Sequence, residues 1–207
     1  MKSTVIFSVV AILVLGASVV YLMNNVSVTD KYFSIIEKER KDKDEVFKNG
    51  DESPLVFQQK LQFTSLNYFP VDKQYLIKAD FELNPLKETL RIGYSDGSEK
   101  LYLRYGFATF DLMGERQKLT VLKPTFFEEE EYLFLAFYDE TSTLETYGGG
   151  RYIDLDTDPG KTIDIDFNRA YNPYCAYNEE YRCPLPPREN QVTVAVKAGE
   201  KIFDLNH

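Results

Sequence analysis

Residues 100–122 read KLYLRYGFATFDLMGERQKLTVL, two runs of alternating and β-branched side chains separated by Met113-Gly114. Strand side chains alternate between faces, so period two on both sides of a short glycine-containing turn predicts an antiparallel pair, with strands at 100–110 and 117–122. The same signature recurs along the chain, and further strands are expected at 75–83, 89–94, 131–138, 152–155, 162–167 and 192–196. Asn84-Pro85, Ser95-Asp96-Gly97 and Asp158-Pro159-Gly160 punctuate them as turns. No segment of helical length and period lies between the strands, which disfavours parallel crossovers. The expected fold class is mainly β, as an antiparallel β-sandwich or a partly open barrel.

Composition points the same way. The 207 residues are 43% hydrophobic and include 15 Tyr and 15 Phe but no Trp, aromatics that suit a pleated surface. With 33 acidic against 24 basic residues the formal charge is -9, which disfavours nucleic acid as a partner because phosphate binding needs a basic face. The single histidine, His207, sits at the end of the sequence and is a poor candidate for a positioned base, so nucleophile–histidine pairs are disfavoured. Together with two cysteines it cannot complete a structural zinc set, and no metal or cofactor is expected. Nucleotide-binding loops are missing too: Gly148 to Gly150 lack the strand-then-helix setting such loops require and read as a turn.

Residues 4–23, TVIFSVVAILVLGASVVYLM, form an uncharged stretch long enough to cross a bilayer core as a helix. Lys2 before it favours an amino terminus left in the cytoplasm. The expectation is a single-pass anchor in a bacterial cytoplasmic membrane, with the β domain on the periplasmic or extracellular side. The alternative is secretion after signal cleavage near Ala17. A charged helical stalk follows over 29–48, with Glu37/Lys41, Glu39/Lys43 and Asp44/Lys48 at helical spacing and Asn49-Gly50 ending it. The expected organisation is an anchor or signal segment at 1–24, a stalk at 25–52 and a β-rich domain at 53–207.

One hairpin can be specified residue by residue. If the aliphatic positions of 152–155 and 162–167 share a face, Ile153 stands opposite Ile165 and Leu155 opposite Ile163 around Asp158-Pro159-Gly160. Asp154 then faces Asp164. Arg151 lands on the apolar face, where a guanidinium needs carbonyls or a carboxylate from elsewhere, or else grips an anionic ligand. The Asp154-x-Asp156-x-Asp158 spacing invites comparison with a calcium loop, but Pro159 and Ile165 occupy the positions that need Gly and Glu.

Residues 168–190, NRAYNPYCAYNEEYRCPLPPREN, have no period of either kind and carry four Pro, four Tyr and both cysteines. Irregular segments this long are uncommon inside a domain. Tyr171, Tyr174, Tyr177 and Tyr181 are large anchors that would pack this segment over an end of the sheet. A Cys175–Cys183 disulfide would close a nine-residue loop, contributing about 2.6 kcal/mol by loop entropy, and suits an oxidising compartment. A redox-active pair is disfavoured, since the spacing is not CxxC and no helix N-terminus stands behind either thiol.

Taken together, FTSLNYFP at 63–70, TYGGGRY at 146–152, AYNPYC at 170–175, CPLPP at 183–187, Glu189-Asn190 and AGEK at 198–201 resemble the bacterial family called domain of unknown function 1684, over residues 40 to 203. The resemblance implies a compact β-rich domain and brings no reaction or ligand with it. Motif residues able to serve a site are Arg151, Asp166, Asn168, Tyr171, Asn172, Tyr177 and Asn190. Their alternative role is structural, with Asn and Asp satisfying backbone groups and Tyr filling space. Two functions follow: a membrane-anchored, envelope-facing binding or structural module for a small molecule or protein, or a hydrolase-like enzyme with Asp166 as base and Arg151 stabilising an anion. The first is favoured because nothing marks a nucleophile.

Overall fold

The computed structural model describes residues 31–125, 132–156 and 158–205. Among them no helix is long and apolar enough to cross a membrane; the expected anchor at 4–23 lies outside the described residues, as does His207. The chain divides into two compact units between Asp42 and Lys43. Residues 31–49 are helical (α1). Before the division this helix carries a Lys38–Asp42 ion pair at 2.5 Å. After it, Lys43 and Asp44 turn to the β-rich unit, Lys43 pairing with Glu200 at 2.5 Å and Asp44 accepting the Leu66 N–H at 2.8 Å. Phe47, also beyond the division, packs edge-on to Tyr177 with ring centroids 4.8 Å apart. The β-rich unit thus takes in the last turns of the helix.

Seven strands follow: β1 (Leu76–Leu83), β2 (Thr89–Gly93), β3 (Glu99–Leu112), β4 (Glu115–Pro124), β5 (Leu133–Phe137), β6 (Arg151–Leu155) and β7 (Thr162–Asp166). A short helix unforeseen from the sequence, α2 (Phe57–Gln62), precedes them, started by Gln59 Oε1 accepting the Val56 N–H. All strand pairs are antiparallel, and they form one sheet in the order β6-β5-β4-β3-β1-β7, with β2 pairing β3 beyond the end of β1. The sheet curls into a half-barrel, so the barrel alternative describes it and the sandwich does not. Met113 and Gly114, with φ of 53° and 85°, make the tight β3–β4 turn that the sequence predicts.

Alternation sorts the side chains. Leu133, Leu135 and Phe137 of β5 join Ile153 and Leu155 of β6 and Ile163 and Ile165 of β7 in the main core, while Phe134, Ala136 and Tyr152 face the opposite side. β5 is buried along its whole length because both of its faces are covered.

Two expectations are corrected here. β6 and β7 do not form a hairpin: β6 pairs with β5, Ile153 standing opposite Leu135, and β7 pairs with β1, Ile165 standing opposite Ile77. Their aliphatic residues do share a core, but curling of the sheet brings them there. Asp154 stands opposite Phe134 rather than Asp164, and Asp164 binds Lys78 at 3.1 Å. Residues 192–196 form no ladder strand either. Val192 and Val196 are buried, but the backbone there bonds to the loop after β5 and to a side chain: Val192 N–H to Tyr138 O at 2.8 Å, and Val196 N–H to Asp139 Oδ1 at 3.2 Å.

Candidate functional site

Arg151 opens β6 on its inward face and is 1% exposed. Nη2 donates to Asp139 Oδ2 at 2.8 Å and to Val196 O at 2.9 Å, and Nη1 donates to Ala198 O and, at 3.2 Å, to Glu200 O. Its guanidinium lies over the Phe137 ring, 5.4 Å from the centroid. Burial pulls its pKa down, and the Asp139 carboxylate opposes that. The arginine clamps the 196–200 segment into the half-barrel and presents no terminal nitrogen to a ligand.

The other sequence candidates separate from it. Asp166 caps the turn after β7, Oδ1 accepting the Asn168 N–H at 3.0 Å and Oδ2 pairing with Arg169 at 3.1 Å. Asn168 exchanges two bonds with the Asp72 backbone, at 2.8 and 2.9 Å. Asn190 accepts from Thr120 N–H at 2.7 Å and donates to Thr120 O and Ala136 O, both at 2.9 Å, tying the loop to β4 and β5. Asn172 and Tyr177 meet at Glu200, a buried carboxylate the sequence did not single out: Oε2 accepts the Asn172 N–H at 2.9 Å and the Tyr177 hydroxyl, and Oε1 holds Lys43. Asp166 and Arg151 therefore do not form the acid–base arrangement of the hydrolase alternative.

Tyr171 lies elsewhere. The second face of the sheet carries Tyr102 from β3, Phe134 from β5 and Tyr152 from β6, where a solvated face would carry polar groups. The 168–190 segment crosses this face instead of capping an end of the sheet. Tyr171 and Tyr152 exchange reciprocal backbone bonds of 2.9 Å along the outer edge of β6, and Leu185 N–H reaches Gly93 O of β2 at 2.7 Å. Between strap and sheet lies a cleft of about 610 Å³ walled by tyrosine and proline rings. Asp154 stands in it, Oδ1 accepting the Tyr132 hydroxyl at 2.6 Å and the Tyr171 hydroxyl at 2.8 Å. The Tyr94 and Tyr102 hydroxyls bond each other at 2.6 Å, and Tyr152 donates to Pro184 O. Lys43, Lys100 and Arg182 also line it; the two lysines lie over the Tyr171 and Tyr94 rings at 4.8 and 5.0 Å.

Burial is the main reason that the Tyr102, Tyr132 and Tyr171 phenols have pKa values well above the ordinary range; Tyr94 adds to it for Tyr102, Asp154 for Tyr132, and Tyr132 with Asp154 for Tyr171. They remain protonated donors at neutral pH, suited to hydrogen bonding and unsuited to proton transfer, which works best near the operating pH.

Cys175 and Cys183, expected as a disulfide, are thiols in the structure. They are nevertheless adjacent, the Cys175 N–H donating to Cys183 Sγ at 3.2 Å and the Tyr147 hydroxyl donating to Cys175 Sγ at 3.7 Å. Among the described residues no group of three His, Cys, Asp or Glu is placed to hold a metal.

Residues 61–201 match the family model described as protein of unknown function, DUF1684. The chain belongs to this family. It is also similar to the solution NMR structure of an uncharacterized protein of Haloarcula marismortui, at 34% identity and a TM-score of 0.66, covering 87% of this chain and 99% of that one. No protein with a curated description matches it. In this DUF1684 domain the motif stretches meet in space: TYGGGRY supplies Arg151 and Tyr152, AGEK supplies two of the carbonyls that Arg151 grips, and CPLPP supplies the acceptor for Tyr152. Of the seven sequence candidates only Tyr171 reaches the cleft. Tyr94, Tyr102, Tyr132 and Tyr152 were missed, and the signal that could have found them is aromatic residues at or beside the outward positions of the strands.

Proposed function

We propose that this DUF1684 protein is a binding module, held at a membrane through residues 4–23, that seats a small ring-containing molecule with an anionic group in the tyrosine cleft. The observation that carries this is the cleft, with ring faces on its walls and Lys43, Lys100 and Arg182 beside them. Flat rings stack favourably on tyrosine, and Lys43, Lys100 and Arg182 bring positive charge to the cleft, Lys43 while also paired with Glu200 and Arg182 while also paired with Asp96. The domain would face the periplasm or the exterior of a bacterial envelope; secretion after cleavage is the alternative.

A direct test uses the aromatic sulfonate 8-anilinonaphthalene-1-sulfonate as the probe on the folded protein. Saturable binding of one probe per chain, weakened about tenfold by Tyr132→Ala combined with Tyr171→Ala, is expected. Probe binding unchanged in that variant would reject the cleft as the seat. Carbonate washing of membranes tests the tether separately, the full chain staying in the pellet if it spans the bilayer.

A further inference from the structure

The two cysteines of the strap line different cavities. Cys183 is 7% exposed and lines the tyrosine cleft, whereas Cys175 is more open and lines a second cavity of about 660 Å³, bordered by Ser95, Asp96, Tyr147, Glu179 and Glu180. Both positions are pinned by the backbone. Cys175 sits in the 3-10 turn Tyr174–Ala176, and the Cys183 N–H and carbonyl bond to Ser95 Oγ at 3.1 Å and Ser95 N–H at 3.0 Å. The Cys175 N–H donates to Cys183 Sγ at 3.2 Å, which holds the buried sulfur against the backbone of the more open cysteine.

We propose that Cys175 and Cys183 are a peroxide-reactive dithiol in which Cys175 is the attacking sulfur and Cys183 the resolving one. Geometry gives the order, because the attacking sulfur must be reachable and the resolving one held against it. Electrostatics agree. Hydrogen bonds from Cys183 and Tyr147 bring the Cys175 pKa down to about 6, while donation to Cys175 and burial push the Cys183 thiol up. These shifts favour the thiolate at Cys175 and the thiol at Cys183. Tyr147, its own pKa raised by burial and by Cys175, stays a donor throughout. Asp96, Glu179 and Glu180 line this cavity together with Arg182, which pairs with Asp96 at 3.1 Å, so the balance there is acidic and an uncharged hydroperoxide fits better than an anionic oxidant.

The Cys175 thiolate attacks the distal oxygen of ROOH, the O–O bond breaks, and a sulfenic acid forms while RO⁻ takes up a proton and leaves as ROH. The Cys183 sulfur then attacks the sulfenic sulfur, the S–O bond breaks, and the hydroxide leaves as water with the Cys183 proton. Two thiols and one hydroperoxide become one disulfide, one alcohol and one water. Return to the dithiol requires an external thiol.

The test is made on the full chain, fully reduced and then exposed to one equivalent of hydrogen peroxide, with site-resolved mass spectrometry. Wild-type protein is expected to lose two hydrogens as a Cys175–Cys183 bond. Cys183→Ser is expected to hold a dimedone-trappable sulfenic acid at Cys175, and Cys175→Ser to leave Cys183 unoxidised. Without any variant, iodoacetamide at neutral pH should label Cys175 about tenfold faster than Cys183 and faster than either thiol in urea. Labelling of Cys183 first, or oxidation no faster than in the urea-unfolded chain, would overturn the proposal. Tyr147→Phe should slow the reaction with peroxide and shift its pH midpoint upward; an unchanged profile would count against the proposed activation.

Discussion

Arg151 and Glu200 are joined through the main chain of one and the side chain of the other: Arg151 Nη1 donates to the Glu200 carbonyl at 3.2 Å, while the Glu200 carboxylate points away to Lys43, Tyr177 and Asn172. One residue therefore couples two buried polar networks. The first closes the half-barrel, and the second fastens the helix end and the strap to it. Both lie where charge is costly unless it is paired.

Replacing Arg151 by Ala should lower the unfolding free energy by about 3–5 kcal/mol, because Asp139 and three carbonyls lose their donor inside the core. Arg151→Lys should recover little of it, as an ammonium cannot span the fork. Urea denaturation measures both, and a shift within error for the alanine variant would refute the assigned role.

Glu200→Gln keeps the shape and removes the charge. Lys43 loses its ionic partner, and the amide nitrogen meets donors where an oxygen accepted them. A loss of about 1.5–3 kcal/mol is expected from thermal or chemical unfolding, with less effect when Lys43 is changed to Met in the same chain.

Asn190→Asp tests the strap's attachment to the sheet. The side chain is fully buried and donates to Thr120 O and Ala136 O. A carboxylate would set lone pairs against those carbonyls, for an expected cost of about 2–4 kcal/mol that shrinks at acid pH as the carboxyl protonates.

Gly199→Ala should destabilise by at least about 1–3 kcal/mol. Its φ is +74°, and a Cβ would come within 2.5 Å of Ala170 O and 2.8 Å of Phe167 O. Calorimetry reads this as a lower Tm.

Stability should also follow the thiol pair's titration. The Cys175 pKa is depressed in the folded chain, so its contribution is fully present above the ordinary thiol value near 9 and is lost as pH falls through about 6. Cys183 is raised, so its contribution is present below that ordinary value and is lost as pH rises beyond it. Unfolding of wild type compared with Cys175→Ser across pH 5 to 10 should show a gap that narrows toward the acid end; a gap constant with pH would contradict the shift.

Strand existence was legible because alternation and turn residues are local: the β3–β4 pair follows directly from Met113-Gly114. Strand partners were not. A short loop between 155 and 162 suggested a hairpin, but β5, apolar at every position, offered β6 a mate buried on both faces, and sheet curvature brought Ile153 and Ile165 together without pairing. Arg151 was placed correctly on an apolar face by period two alone, though Asp139 and the carbonyls that receive it lie 12 to 49 positions away and leave no local trace. The cleft was hidden for the same reason. Tyr94, Tyr102, Tyr132 and Tyr152 converge only through strand order, and in sequence each looks like an ordinary strand residue.

The clamp on Val196, Ala198 and Glu200 also orders the protein's birth. Every strand of the half-barrel leaves the ribosome before the segment that Arg151 grips, so the nascent sheet must carry a guanidinium that has Asp139 but none of its three carbonyl partners until that segment emerges. Translation, rather than strand pairing, sets the earliest moment at which the interior can seal.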